Sequence, residues 1–321
     1  MKKPAASNAQ LISGSAHPKL AQAVAKALKL PLTPIKLGAF ANGEISCKLS
    51  QSVRGDYVFV LQSHCGDINK ALLEQLIIID TLKRASARSI TAVCPFLAYA
   101  RQDRKASGRE PITARLVIDM LKAAGADRIM SIDLHSGQIQ GFFDGPFDHL
   151  IARGILTNHI TSKLDDGNLV IVSPDAGRVK SAERYASSLG CDIAIIHKHR
   201  SHEKANNVEA KHLIGKVEGK TCLIIDDMID TAGTICAAAD MLAENGAKKI
   251  YGLATHGVLS DPAVARIDAS SFDKVIVTDS LPTPKSKKIQ TITVAGLLAS
   301  AIEAVYCGQS VSALFDGQNQ F

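Results

Sequence analysis

The chain of 321 residues contains no tryptophan, and aromatic residues make up only 4% of it. Proteins that bind single-stranded nucleic acid stack bases on aromatic platforms set among basic residues. That poverty therefore argues against a nucleic-acid partner, although the net charge is +6, from 37 basic and 31 acidic side chains. No DNA- or RNA-binding motif is present either. No apolar run approaches the roughly 18 residues that cross a bilayer, so no membrane partner is expected. The opening MKKPAASNAQ has two lysines and no long apolar segment behind them, and it reads as an irregular start, not a signal peptide. The cysteines, at 47, 65, 94, 191, 222, 236 and 307, show no C-x-x-C spacing. Neither a zinc site nor a disulfide framework is indicated, and buried thiols in a reducing cytoplasm are expected.

What is present is an ordinary globular composition, 46% apolar and 21% charged, in a chain long enough for two cores. Apolar strand candidates (57–61, 90–95, 128–133, 169–173, 193–197, 221–226, 249–255 and 274–278) alternate with helix candidates (19–28, 69–85, 113–124, 178–189, 234–245 and 294–306). That alternation predicts an α/β fold with parallel sheets. A faint repeat runs through it: AGADRIMSIDLH at 124–135 parallels ENGAKKIYGLATH at 244–256. Each is a helix end, a glycine, a strand and a histidine. Two similar α/β halves meeting near 144–151 are expected, where Gly145-Pro146 supplies a turn.

The most informative segment is LIIDDMIDTAGT at 223–234. An oily strand ends in Asp226 and Asp227, and the loop Asp230, Thr231, Ala232, Gly233, Thr234 opens a helix. Backbone N–H groups at a helix start suit a phosphate monoester, and the paired carboxylates suit ribose hydroxyls or a bound Mg2+. GKVEGKT at 215–221 imitates a P-loop but is one residue short and precedes a strand, so it is rejected. Two basic loops, YARQDRKASGR at 99–109 and HKHRSHEK at 197–204, suit small polyanions. IDLH at 132–135 sets Asp133 and His135 at a strand end, where the histidine either ligates a metal or satisfies a carbonyl. VSPDAG at 172–177 offers Asp175, and FANGE at 40–44 combines an aromatic ring with Asn42 and Glu44.

The segment at 223–234 resembles the phosphoribosyl diphosphate (PRPP) binding motif, and the full series of motifs, in this order, resembles class I ribose-phosphate diphosphokinases. SGSAHPKLAQ near the start and SVSALF near the end extend the likeness over essentially the whole chain. The resemblance implies two phosphoribosyltransferase-like domains, each a largely parallel sheet flanked by helices. The first, at 1–150, takes ATP; the second, at 151–305, takes ribose 5-phosphate; a tail at 306–321 packs back on the first. It implies ATP contacts from Phe40, Asn42, Gly43, Glu44, Arg101 and Gln102, and Mg2+ on His135 and Asp175. Lys198 and Arg200 would be catalytic. Ribose 5-phosphate would sit on Arg200, Asp226, Asp227, Asp230, Thr231, Ala232, Gly233 and Thr234.

It implies further a homohexamer with inorganic phosphate and ADP as effectors at Ser52, Arg54, Arg109, Ser310, Ser312 and Phe315. Two departures from the family pattern stand out. Arg178 and Ser181 occupy places where the family has Gly and Arg, so Arg178 is expected to restore the charge lost at Ser181. Ser107 and Gly108 replace a longer cation and Ser in the regulatory loop, which predicts weak activation by phosphate. The competing readings are a phosphoribosyltransferase that consumes PRPP and an inactive regulatory subunit.

Overall fold

The computed structural model describes residues 9–199 and 210–315, with backbone alone at 198, 199, 210 and 211. The chain divides into two compact units. Met1–Ala152, Ser280–Pro282 and Thr293–Phe321 form one; Arg153–Asp279 and Thr283–Ile292 form the other.

The first unit begins with β1 (Ala9–Ser13), α1 (Pro18–Leu28), the hairpin β2 (Ile35–Ala39) and β3 (Ile45–Leu49), and β4 (Tyr57–Leu61). It continues through α2 (Ile68–Arg84), β5 (Ser89–Cys94), α3 (Thr113–Ala124), β6 (Arg128–Ile132) and β7 (Phe147–Leu150). The strands order as β1-β4-β5-β6-β7, all parallel. β4 reads YVFVL and is buried at four of its five positions, the continuous apolar run of a strand covered on both faces. α2 starts where the Asp67 carboxylate accepts the Lys70 N–H. It turns Ala71, Leu72, Ile78, Ile79 and Leu82 into the core with helical spacing. Its buried Glu74 is stabilised by hydrogen bonds from the Ser15 N–H and hydroxyl and from Gln62. A Cβ on Gly14 would come within 2.4 Å of the Gln62 side chain, so that network requires glycine there.

The second unit contains α4 (Arg153–Lys163), β8 (Leu169–Ser173), α5 (Val179–Leu189), β9 (Asp192–His199), β10 (Ala210–Ile214) and β11 (Thr221–Ile229). α6 (Gly233–Glu244), β12 (Lys249–Gly257), α7 (Ala263–Ala269), β13 (Lys274–Thr278) and β14 (Ile289–Ile292) follow. Its sheet orders as β10-β9-β8-β11-β12-β13-β14, parallel except for the β9–β10 pair. Every residue of β8 is buried. Val170, Val172, Ile224, Ala239, Leu242, Phe272 and Val275 belong to its core cluster. The last helix, α8 (Ala295–Tyr306), belongs to the first unit and packs on α1. The second unit thus stops short of the expected limit at 305, because α8 packs on α1 of the first unit.

Candidate functional site

Both acids lie inside a strand. β11 continues to Ile229, past the expected end at 226. Its pairing with β8 ends at Ile224↔Val172, whereas its pairing with β12 runs on to Ile229↔Gly257. Where β8 no longer runs alongside, Asp226 Oδ1 accepts the Asp227 N–H at 2.9 Å and Asp227 Oδ1 accepts the Met228 N–H at 2.8 Å. Side-chain oxygens thereby take backbone donors that a neighbouring strand would otherwise satisfy.

Arg178 reaches this pair from the loop after β8. Asp175 caps the short turn Ala176–Arg178, its Oδ1 accepting the N–H groups of Gly177 at 2.9 Å and Arg178 at 3.1 Å. From that fixed backbone the Arg178 guanidinium spans both acids, with Nε 3.2 Å from Asp226 Oδ1 and Nη2 2.6 Å from Asp227 Oδ1. Burial pushes the Asp226 carboxyl up to about 7; the hydrogen bond and charge of Asp227 add to this, and Arg178 opposes it.

The loop at 230–234 enters α6 through Ala232, which is buried and left-handed at φ 60°. No side chain caps α6. Arg266 of α7, absent from the sequence-based candidates, donates from Nη1 to the Thr231 carbonyl at 2.9 Å and pins the loop from outside. Lys198 stands on β9 opposite Lys211 of β10; Arg200 lies outside the described residues.

In the first unit, FANGE is the turn of the β2–β3 hairpin. The Phe40 N–H bonds the Glu44 carbonyl, Gly43 (φ 91°) bonds the Phe40 carbonyl, and Asn42 Oδ1 accepts the Glu44 N–H. Phe40 is 61% exposed, an apolar ring open to a flat partner. Arg101 and Gln102 are exposed in the loop after β5. The Gln102 carbonyl accepts the Ala114 N–H, and its side chain bonds the Thr113 hydroxyl, so it also caps α3. His135 follows a tight exit from β6. Asp133 is left-handed (φ 36°), its carboxylate accepts the Ala152 N–H, and the buried His149 accepts the Leu134 N–H at 2.9 Å through Nε2. That exit is therefore held just before His135, by Ala152 at Asp133 and by His149 at Leu134. Ser52, Arg54, Arg109, Ser310 and Ser312 are exposed and Phe315 is half-buried, all in the first unit. Glu110 gathers the N–H groups of Ala106 and Ser107 and the Ser107 hydroxyl, which folds the loop before Arg109.

Polar loops at the carboxyl ends of largely parallel strands, one of them opening a helix beside paired acids, stand where α/β enzymes bind their ligands. The comparisons go further. A model of the N-terminal domain of ribose phosphate pyrophosphokinase matches residues 9–125, and one of the phosphoribosyl synthetase-associated domain matches residues 211–316. Ribose-phosphate pyrophosphokinase of Streptomyces avermitilis is 51% identical over 309 residues, 95% of either chain. That of Corynebacterium efficiens is 52% identical over 313 residues, 97% of this chain and 96% of its own. The crystal structure of phosphoribosylpyrophosphate synthetase from Mycobacterium smegmatis matches with a TM-score of 0.88 at 51% identity, covering 93% of this chain and 99% of that one. The chain belongs to the ribose-phosphate pyrophosphokinase family. This whole-length likeness to named enzymes sets aside both the phosphoribosyltransferase and the inactive-subunit readings. No helix among the described residues is long and apolar enough to cross a membrane.

Two outcomes are expected. A raised folded pKa on Asp226 means its contribution to stability is complete below its unfolded value near 3.8 and is lost as the pH rises through about 7. Asp226→Asn removes that titration, so its melting temperature relative to the unmodified chain should rise from pH 5 to pH 8; a constant difference would contradict this. Arg266→Ala should raise the KM for ribose 5-phosphate about three- to tenfold, as loss of one ordinary hydrogen bond at an exposed position would, with the KM for ATP unchanged.

Proposed function

We propose that the chain transfers the β,γ-diphosphoryl group of ATP to the C1 hydroxyl of ribose 5-phosphate, giving PRPP and AMP. The carrying observation is the 51–52% identity to curated ribose-phosphate pyrophosphokinases over 95–97% of this chain. The 5-phosphate dianion is received by the loop at 230–234, where the positive end of α6 and its first-turn N–H groups favour an anion. Asp226 and Asp227 accept hydrogen bonds from the ribose hydroxyls. ATP is held by Asn42, Gly43, Glu44, Arg101 and Gln102, with its base on Phe40.

Diphosphoryl transfer depends on alignment and charge neutralisation more than on covalent help. The C1 oxygen bonds to the β-phosphorus as the bond from that phosphorus to the α,β-bridging oxygen breaks, and AMP leaves with that oxygen. Lys198 and Arg200 neutralise charge that builds on the diphosphate. No residue is assigned as general base.

Among the described residues no group of three or more His, Cys, Asp or Glu side chains is placed to hold a metal. Mg2+ does not need such a cage: one or two carboxylates with waters and substrate phosphates suffice. The hard oxygen donor of Asp175 fits it, and His135 is the second expected ligand. The bound ion supplies charge neutralisation on the triphosphate. Ser52, Arg54, Arg109, Ser310, Ser312 and Phe315 form an effector site for phosphate and ADP, and the active assembly is a cytoplasmic homohexamer.

The reaction is tested by incubating ATP, ribose 5-phosphate and Mg2+ with the chain. AMP and PRPP should appear in equal amounts; ADP in place of AMP, or consumption of added PRPP with a free base, would overturn the reading. With Ser107 and Gly108 where the family has a cation, the loop has one charge fewer to hold the anion, and the rate should rise only about two- to threefold on adding inorganic phosphate. An absolute phosphate requirement would contradict this.

A further inference from the structure

Two carboxylates on consecutive residues repel, and the strand end that carries them needs a counter-cation. The second unit supplies one from its own chain. Arg178 extends its guanidinium so that Nε meets Asp226 at 3.2 Å while Nη2 meets Asp227 at 2.6 Å. Guanidinium forks usually grip two oxygens of one carboxylate; this fork is spread over two different carboxylates and occupies an oxygen of each.

The Arg178 backbone is fixed by the Asp175 cap, so its side chain has a firm base. The three side chains are not sealed in: Arg178 is 24% exposed, Asp226 21% and Asp227 11%. A long, partly exposed side chain anchored at its backbone can change rotamer while its backbone stays in place. All three residues belong to the second unit, on the adjacent strand ends of β8 and β11.

We infer that Arg178 is a tethered cation that occupies the Asp226–Asp227 carboxylates in the ligand-free chain and competes for them with a divalent metal ion. The inference rests on the reading above that these acids face ribose 5-phosphate, and on the fitness of paired carboxylates for a divalent cation. A ligand that shares a site with a tethered competitor binds more weakly by the free energy of displacing it. The free metal concentration needed to fill the site is therefore set partly by Arg178.

The test uses the full chain without substrates and Mn2+ as the probe, with free Mn2+ read by electron paramagnetic resonance. Arg178→Gln should bind Mn2+ about tenfold more tightly than the unmodified chain, within the usual range of coupling between two ligands. Arg178→Lys keeps the charge but cannot span both carboxylates, and should fall between the two. The gain should vanish in the Arg178→Gln, Asp227→Asn double variant, which locates it at the pair. An unchanged or weaker affinity for Arg178→Gln, or a gain that survives Asp227→Asn, overturns the inference. If Arg178→Gln does not fold, Arg178→Lys decides: tighter binding supports competition, and equal or weaker binding overturns it. PRPP formation by the unmodified chain, measured alongside, separates the two claims. Its absence counts against the proposed reaction, whereas unchanged Mn2+ affinity counts against the role of Arg178 alone.

Discussion

Asp226 and Asp227 stand next to each other near the end of a buried strand, a placement that burial and mutual repulsion both oppose. The surrounding structure answers the opposition piece by piece. β11 outruns β8, so the acids sit beyond the last residue of the neighbouring strand. Each carboxylate accepts the next backbone N–H, and the Arg178 guanidinium lies across both. Even so, Asp226 is held well above the ordinary carboxylate range. The same overrun of β11 leads into the loop at 230–234 and the start of α6. A shorter strand would lose the acids and the loop together.

Much of this was legible in the sequence where apolar pattern alone sets structure. The strands at 57–61, 169–173 and 274–278 and the helix at 113–124 fall where their oily runs and helical spacing place them. Elements whose residues face water on one side carried no such signal. β2 (IKLGA) and β14 (IQTI) have no fully buried position, and α7 is only seven residues long. The end of β11 was misjudged for a related reason. Its last residues, Asp227, Met228 and Ile229, lie past the expected end at 226 because charge follows the oily run there, yet pairing with β12 keeps them extended.

At the site, residue types were legible and partners were not. The carboxylate pair, the glycine-containing loop and the unusual Arg178 all stand in the sequence. That Arg178 meets Asp226 and Asp227, about fifty positions away, follows only from the parallel register of β8 and β11. Arg266 gave no sign at all, since a lone arginine on a short helix looks like solvated charge; its hydrogen bond to the Thr231 carbonyl spans 35 positions. His149, which fixes the backbone just before His135, was hidden in the same way.

Function follows from how the fold disposes these groups. Parallel strands bring successive loops to one edge of a sheet, and in this chain those loops carry the family's motifs. The central claim is that the end of β11 and the start of α6 receive ribose 5-phosphate, with Arg178 giving up the acids when they are engaged. The most direct measurement is a crystal structure of the chain with ribose 5-phosphate and a divalent metal ion bound. The account predicts the 5-phosphate on the N–H groups of residues 231–234, the ribose hydroxyls or the metal ion on Asp226 and Asp227, and the Arg178 guanidinium turned away from both. A sugar phosphate seated elsewhere, or bound there with Arg178 still across the two carboxylates, would contradict it.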